Sequence, residues 1–305
     1  MLGSNSKGAM MLTGLSAFPI TPSDAAGRVD AAALRDLLAP LLAAQVDSIG
    51  LLGSTGTYAY LAREERRRAV EAAVDMASGR TPILVGVGAL RTDEAVRLAQ
   101  DAKAAGASAG LLAPVSYTPL TDDEVFEHFA TVARESGLPL CIYDNPSTTH
   151  FKVSPALVGR LSRIPGVVGL KTSAPDAPQV PAHLAELRSV APAGFQIGYS
   201  ADWNVVEGLL AGADAWYSVV AGLFPDICMA MVRAARSGDA AQARSLNAQL
   251  QPLWDVFKAH SSLRVMYAIA SLRGVTRADP PRPLMPLPKA AQETVAEALR
   301  AAKLA

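Results

Sequence analysis

Apolar positions along the chain alternate between two textures. Short, continuously apolar runs such as "PILVGVG" and "LPLCIYD" are separated by longer stretches such as "AREERRRAVEAAVDMA" and "TDDEVFEHFATVARESG", where apolar residues recur every three or four positions. An unbroken apolar run fits a strand covered on both faces. The three-to-four spacing fits a helix with one buried face. The full set of strand runs is "GLSAFPI", "DSIGLLG", "PILVGVG", "SAGLLAP", "LPLCIYD", "GVVGLK", "GFQIGYS" and "AWYSVVAG". Several helical runs open on Asp, Ser or Thr and close near Gly, as helix ends prefer.

Eight such strands with helices between them predict an α/β fold, a closed (β/α)₈ TIM barrel, which typically needs ~250 residues. A doubly wound open sheet is the rival, but it has fewer strands and announces a glycine-rich phosphate turn after the first. Here "AFPITPSDAAG" follows the first strand. Residues 11–224 are the expected barrel. Residues 225–305 read as helices interrupted by "DPPRPLMPLP", a helical C-terminal extension, and residues 1–10 read as a leader segment.

Composition narrows this picture in three ways. The 305 residues are 50% hydrophobic and only 18% charged, below the usual quarter, so subunit contacts are expected to cover part of the surface. A formal net charge of +0 gives no electrostatic reason to expect nucleic acid or a membrane surface as partner. Cys141 and Cys228 both fall in apolar runs and read as buried thiols of a reducing compartment. Lys7 before "AMMLTGLSAF" loosely resembles a signal peptide, yet "LTGLSAFPI" reads better as a first strand, and a cytoplasmic location is expected. The four histidines show no metal-ligand spacing, so no metal is expected.

Chemistry in a barrel gathers at the C-terminal strand ends. The stretches there are Ser54 to Thr57, Gly88 to Thr92, Ala113 to Thr118, Tyr143 to His150, Lys171 to Ser173, Gly198 to Asp202 and Ser218 to Gly222. Lys171 ends the apolar run "GVVGLK" in a chain whose cations are mostly arginine. An amine enclosed by apolar walls is held less firmly in its charged form. Once neutral, it adds to carbonyl carbon to give a Schiff base, which a guanidinium does not do. On position alone, a strand-end lysine more often extends to water. Two neighbours shift the balance. "GSTG" (Gly53, Ser54, Thr55, Gly56) offers hydroxyls and backbone N–H groups suited to a small carboxylate. Tyr143, ending the fifth strand, places a phenol beside the lysine strand, where it can shuttle a proton. Together they point to a 2-keto acid held by its carboxylate and captured at its ketone.

At these residues the sequence resembles the dihydrodipicolinate synthase and N-acetylneuraminate lyase family of class I, lysine-dependent aldolases. The resemblance runs from "LTGLSAFPITP" into the helical C-terminal region, with the G-x-x-G-E loop as "GSTGT", the Y-x-x-P motif as "YDNP" and the strand-six lysine as "GLKTS". It implies that Lys171 forms the Schiff base and Tyr143 shuttles the proton. It also implies that Ser54 and Thr55 hold a pyruvate-like carboxylate, with Thr55 counted among the catalytic residues. Gly53, Gly56, Tyr117, Ser173, Gly198 and Tyr199 complete the expected substrate site. A homotetramer or dimer, no cofactor, and a 2-keto acid with an aldehyde as substrates are implied as well.

Departures from the family pattern limit the substrate. Thr57 stands where Glu is usual, and Thr148 stands where dihydrodipicolinate synthases carry an arginine that clamps a carboxylate. The relay tyrosine supplied by a neighbouring subunit aligns with Ser116, and Tyr117 follows one residue later. Ser200 and Ala201 replace the acidic residues that hold sugar hydroxyls in sialic-acid lyases, which argues against a long polyhydroxyl tail. Arg91 is a candidate anion contact, although a surface arginine is the commoner reading. The leading expectation is a pyruvate-type aldolase. A sugar-acid dehydratase using the same imine, and a catalytically idle keto-acid-binding barrel, are the alternatives.

Overall fold

The structure, a computed structural model, describes residues 12–305. The leader expected over residues 1–10 lies outside the described residues. Each apolar run becomes a strand: β1 (Gly14–Ala17), β2 (Ser48–Leu51), β3 (Ile83–Gly86), β4 (Ala109–Leu112), β5 (Leu140–Tyr143), β6 (Val167–Ser173), β7 (Gln196–Ser200) and β8 (Ala215–Ser218). Neighbouring strands pair in parallel, and β8 returns to β1, so the sheet closes into a (β/α)₈ TIM barrel.

The helices are α1 (Ala31–Ala43), α2 (Arg63–Ala77), α3 (Thr92–Ala104), α4 (Asp122–Ser136), α5 (Pro146–Thr149), α6 (Pro155–Leu161), α7 (Val180–Val190) and α8 (Val205–Leu210). Then come α9 (Pro225–Arg236), α10 (Ala240–Gln249), α11 (Gln251–His260), α12 (Ser262–Leu272) and α13 (Lys289–Ala301). Local chemistry sets several of their ends. The Asp30 carboxylate accepts from the N–H groups of Ala32 and Ala33 at the start of α1. Thr121 and Glu124 form a reciprocal capping box on α4, which stops at left-handed Gly137.

Strand alternation divides the buried residues into two sets. Leu84, Leu111, Cys141, Tyr143, Ala215 and Tyr217 pack inside the barrel. The opposite strand faces, among them Ile49, Ile142, Leu170 and Tyr199, join the helices in the larger core. Because paired residues on parallel strands face the same way, Tyr143, Lys171 and Gly198 share the interior layer, while Thr172 and Tyr199 share the outer one. Aromatic side chains fill the interior because glycines make room. A Cβ on Gly50 would fall within the ring of Phe18, and one on Gly198 would come 2.5 Å from Tyr217 Cε2.

α9 packs against β1 and α8, so it completes the outer ring. The expected boundary at residues 224/225 therefore falls just before the last ring helix, which sequence reading had assigned to the extension. The remaining helices fold back toward the strand ends: α11 touches the turn at Asp202–Asn204, and the Tyr267 hydroxyl on α12 donates to the Thr21 carbonyl. Both cysteines are buried and free. Among the described residues, no helix is long and apolar enough to cross a membrane.

Gly50→Ala forces Phe18 out of its place and is expected to lower unfolding free energy by about 1–3 kcal/mol, as overpacking does. Denaturant unfolding of the variant measures this, and unchanged stability would contradict the interior packing described.

Candidate active site

Lys171 is the centre of the barrel mouth. It pairs in register with Tyr143 on β5 and Gly198 on β7, which aims its side chain inward. It is 4% exposed. Its Nζ lies 3.9 Å from the Tyr143 ring centroid and 4.0 Å from that of Phe18. Ring faces attract a cation, but among the described residues Lys171 takes part in no ion pair. Buried charges are ordinarily paired, so an amine held this way is set apart from a structural lysine.

Tyr143 belongs to a closed set of hydrogen bonds. Its hydroxyl and that of Ser54 are 2.9 Å apart, and the Asn145 amide donates to both, at 3.2 Å to Tyr143 Oη and 3.1 Å to Ser54 Oγ. Ser147 Oγ donates to Asn145 Oδ1 at 2.8 Å, which fixes the amide's orientation. Burial pushes the Tyr143 phenol up. The Lys171 charge and the hydrogen bonds from Ser54, Lys171 and Asn145 outweigh burial and bring it below its ordinary value.

Behind this pair, on the helix side of the sheet, Asp144 locks the register. Its backbone N–H donates to the Lys171 carbonyl at 2.9 Å, and its buried carboxylate accepts from Thr172 Oγ1 at 2.8 Å and the Val153 N–H at 3.1 Å. Asp202 performs a similar task two strands on, after β7. Its carboxylate accepts from Trp216 Nε1 and from the N–H groups of Val219 and Val220, tying the loops after β7 and β8 together. Burial raises the Asp202 pKa to about 6 against the pull of those donors and of the Lys171 charge.

A cavity of about 680 Å³ opens above Lys171, with Ser54, Thr55, Tyr143, Trp203 and Phe257 in its walls. The N–H groups of Ser54, Thr55 and Gly56 have no hydrogen-bond partner among the described residues, whereas those of Thr57 and Tyr58 bond back to the carbonyls of Ser54 and Gly53. Of these, Ser54 and Thr55 line the cavity, and their free N–H groups beside two hydroxyls suit a small carboxylate. Thr55 and Ser173 both line this cavity.

Other expected site residues lie elsewhere. Gly53 and Gly56 are dictated by packing: a Cβ would come 2.8 Å from Phe18 Cδ1 in one case and 2.9 Å from Leu52 backbone in the other. Gly198 lies beneath the cavity against Tyr217. Tyr199 is turned outward by strand alternation, and its hydroxyl meets His183 Nδ1 at 2.9 Å, so it does not reach the mouth. Tyr117 is 96% exposed and outside the cavity, and the neighbouring Ser116 hydroxyl donates to the Thr118 carbonyl. Arg91 is exposed and paired with Asp93. Thr148 and Ser200 are in the cavity wall.

Sequence reading missed Phe18, Asn145 and Phe257. Phe18 directly follows β1 and is a strand-end residue like the others. Asn145 lies within "YDNP", but nothing local marks its amide as a partner of the phenol. Phe257 comes from α11, and no strand-end rule could find it. Among the described residues, no cluster of His, Cys, Asp and Glu is arranged to hold a metal.

Fold and site together define a (β/α)₈ barrel with a buried, ion-pair-free amine beneath a hydroxyl-rich cavity at its mouth. A sequence model of the Dihydrodipicolinate synthetase family matches residues 11–302, and the chain belongs to that family. It is 35% identical to a 4-hydroxy-tetrahydrodipicolinate synthase of Methylococcus capsulatus, over 92% of this chain and 96% of the relative. It is 34% identical to one of Alcanivorax borkumensis, over 95% and 97%. Among solved structures, a dihydrodipicolinate synthase of Agrobacterium tumefaciens superposes with a TM-score of 0.95 at 53% identity, covering 98% of this chain and 100% of that one. The chloride-inhibited dihydrodipicolinate synthase of Acinetobacter baumannii, solved with pyruvate, gives 0.88 at 29% identity, over 97% and 100%.

The raised Asp202 pKa makes a stability prediction. The folded state holds this proton up to about pH 6, whereas an unfolded Asp releases it near 3.8. The folded state therefore binds more protons between those values, and stability contributed by this group falls as pH rises from about 4 to about 6. Asp202→Asn should remove that slope in unfolding free energy measured across the window. An identical slope in both proteins would dissociate Asp202 from it.

Proposed function

We propose that this chain is a dihydrodipicolinate synthase-like lyase, a class I aldolase acting on pyruvate or a closely related 2-keto acid. The observation that carries this reading is the ion-pair-free Lys171 amine, 3.9 Å from the Tyr143 ring, facing a cavity with free N–H donors. Family membership supports the reaction class. The keto acid's carboxylate lies against the N–H groups and hydroxyls of the "GSTG" loop, which need no reorganisation as the reaction proceeds.

Tyr143, drawn below its ordinary pKa, takes the proton that Lys171 must lose. The neutral amine adds to the keto carbon, one proton passes from the nitrogen to the former keto oxygen, and the proton returned by Tyr143 expels that oxygen as water, leaving an iminium. Loss of a proton from the adjacent carbon gives an enamine, whose carbon attacks an aldehyde to form the new carbon–carbon bond. The reverse sequence cleaves it. Water then hydrolyses the imine and frees Lys171. Ser54 extends the hydrogen-bonded path from Tyr143, and Asn145 holds the two hydroxyls at bonding distance. The enzyme works as a cytoplasmic homo-oligomer, a dimer or tetramer in which the exposed Tyr117 is covered by another subunit.

Incubation with pyruvate and borohydride, followed by intact mass measurement, is expected to show a covalent adduct in wild type and none in Lys171→Ala. Lack of an adduct over a range of keto acids would favour an idle keto-acid-binding barrel. Product analysis separates an aldolase from a dehydratase, because only the dehydratase leaves the carbon skeleton intact.

Tyr143→Phe should still form the imine, more slowly, while turnover drops by roughly 10²–10⁴-fold. Full turnover in that variant would remove the phenol from the mechanism. Asn145→Ala withdraws a donor from the phenolate and so raises the Tyr143 pKa. The acid limb of kcat/KM against pH should then move to higher pH. An unmoved limb would leave Asn145 without an influence on the proton path.

A further inference from the structure

The outer part of the cavity has a charge pattern that selects its second substrate. Its walls are the segment after β6, the turn after β7, and Ser261 with the first residues of α12, Ser262 and Leu263. Among the described residues lining the cavity, Lys171 is the only cation, while Asp176 and Asp202 are both carboxylates. Asp202 accepts from three N–H donors, and Asp176 is exposed at the rim. Lys258 comes near but stacks on Trp203, its Nζ 5.4 Å from the ring centroid, and does not line the cavity. What remains is neutral. Ser147, Thr148 and Ser200 offer hydroxyls, while Trp203 and Phe257 offer aromatic carbon.

We propose that the carbonyl compound joined to the keto acid is an uncharged aldehyde, one carrying neither carboxylate nor phosphate. This rests on the imine reading above. Once the imine forms, the positive charge of Lys171 is balanced by the keto acid's own carboxylate. A second anion would have to shed water beside two carboxylates with no cation to receive it, which is unfavourable for any charge leaving solvent. An uncharged aldehyde meets no such obstacle. Its carbon chain lies on Trp203 and Phe257, and any hydroxyl it carries finds the wall hydroxyls.

The test uses the full-length chain in two stages. Borohydride trapping with pyruvate first establishes whether the imine forms. Condensation rates are then measured for uncharged aldehydes (propanal and glyceraldehyde) and for anionic ones (glyoxylate, succinic semialdehyde and glyceraldehyde 3-phosphate). The uncharged group is expected to exceed the anionic group in kcat/KM by at least about tenfold. Thr148→Arg, which sets a cation at an exposed position of the wall, should raise kcat/KM for the carboxylated aldehydes by about tenfold without altering the trapped adduct. With the adduct formed, equal or better turnover of anionic aldehydes, or consumption of no aldehyde at all, overturns this inference and leaves the imine reading standing. If no adduct forms, the imine reading falls, and the inference falls with it.

Discussion

Everything at the barrel mouth depends on the register between β5, β6 and β7. Pairing Tyr143 with Lys171, and Lys171 with Gly198, puts a phenol, an amine and a bare backbone in one inward-facing layer. A slip of one residue would send Lys171 into the helix layer and bring Thr172 inward, because side chains alternate along a strand. Asp144 guards against that slip from the other side of the sheet through its bonds to Thr172 and the Lys171 carbonyl. Tyr143 and Asp144, adjacent in sequence, thus face opposite sides of the sheet, as do Lys171 and Thr172 on the strand beside them.

That layer is also where the barrel gives up part of its core. A barrel interior is ordinarily filled by branched aliphatic side chains. Here Phe18, Tyr143 and Tyr217 fill much of it, and Gly50 and Gly198 make the space they need. The result is an aromatic floor on which an amine can rest without a carboxylate partner. Ring faces stabilise a cation less than an ion pair does, and they do not bind the proton. The same arrangement keeps Lys171 buried against two rings in place of a carboxylate. Asp202 contributes at a distance: by holding the loops after β7 and β8, it shapes the wall without spending its oxygens on a ligand.

The hydrogen bonds around the phenol differ from those the family resemblance implies. The Ser116 hydroxyl, at the position the resemblance aligns with a relay tyrosine, is engaged with Thr118, and Tyr117 is exposed and outside the cavity of its own chain. The third partner of the Tyr143 and Ser54 hydroxyls is instead Asn145, from the same strand end as the phenol. The amide donates to both hydroxyls, which leaves the Tyr143 and Ser54 oxygens directly bonded to each other.

The sequence alone was enough for the barrel, because unbroken apolar runs alternating with amphipathic ones leave few architectures that cover both sheet faces. It was enough to place Lys171, Tyr143, Ser54 and Thr55 at the barrel mouth as well, since strand ends can be located from the runs and these residue types stand out there. Tyr199 was misplaced because a strand's last turn outward depends on register, which is set by neighbouring strands. Tertiary structure alone decided the rest. Phe18 meets Lys171 across the barrel, Asn145 meets Ser54 across a gap of 91 positions, and Phe257 arrives from a helix beyond the barrel. Such contacts follow from chain closure and helix docking, and neither leaves a periodic trace in the residues that make them.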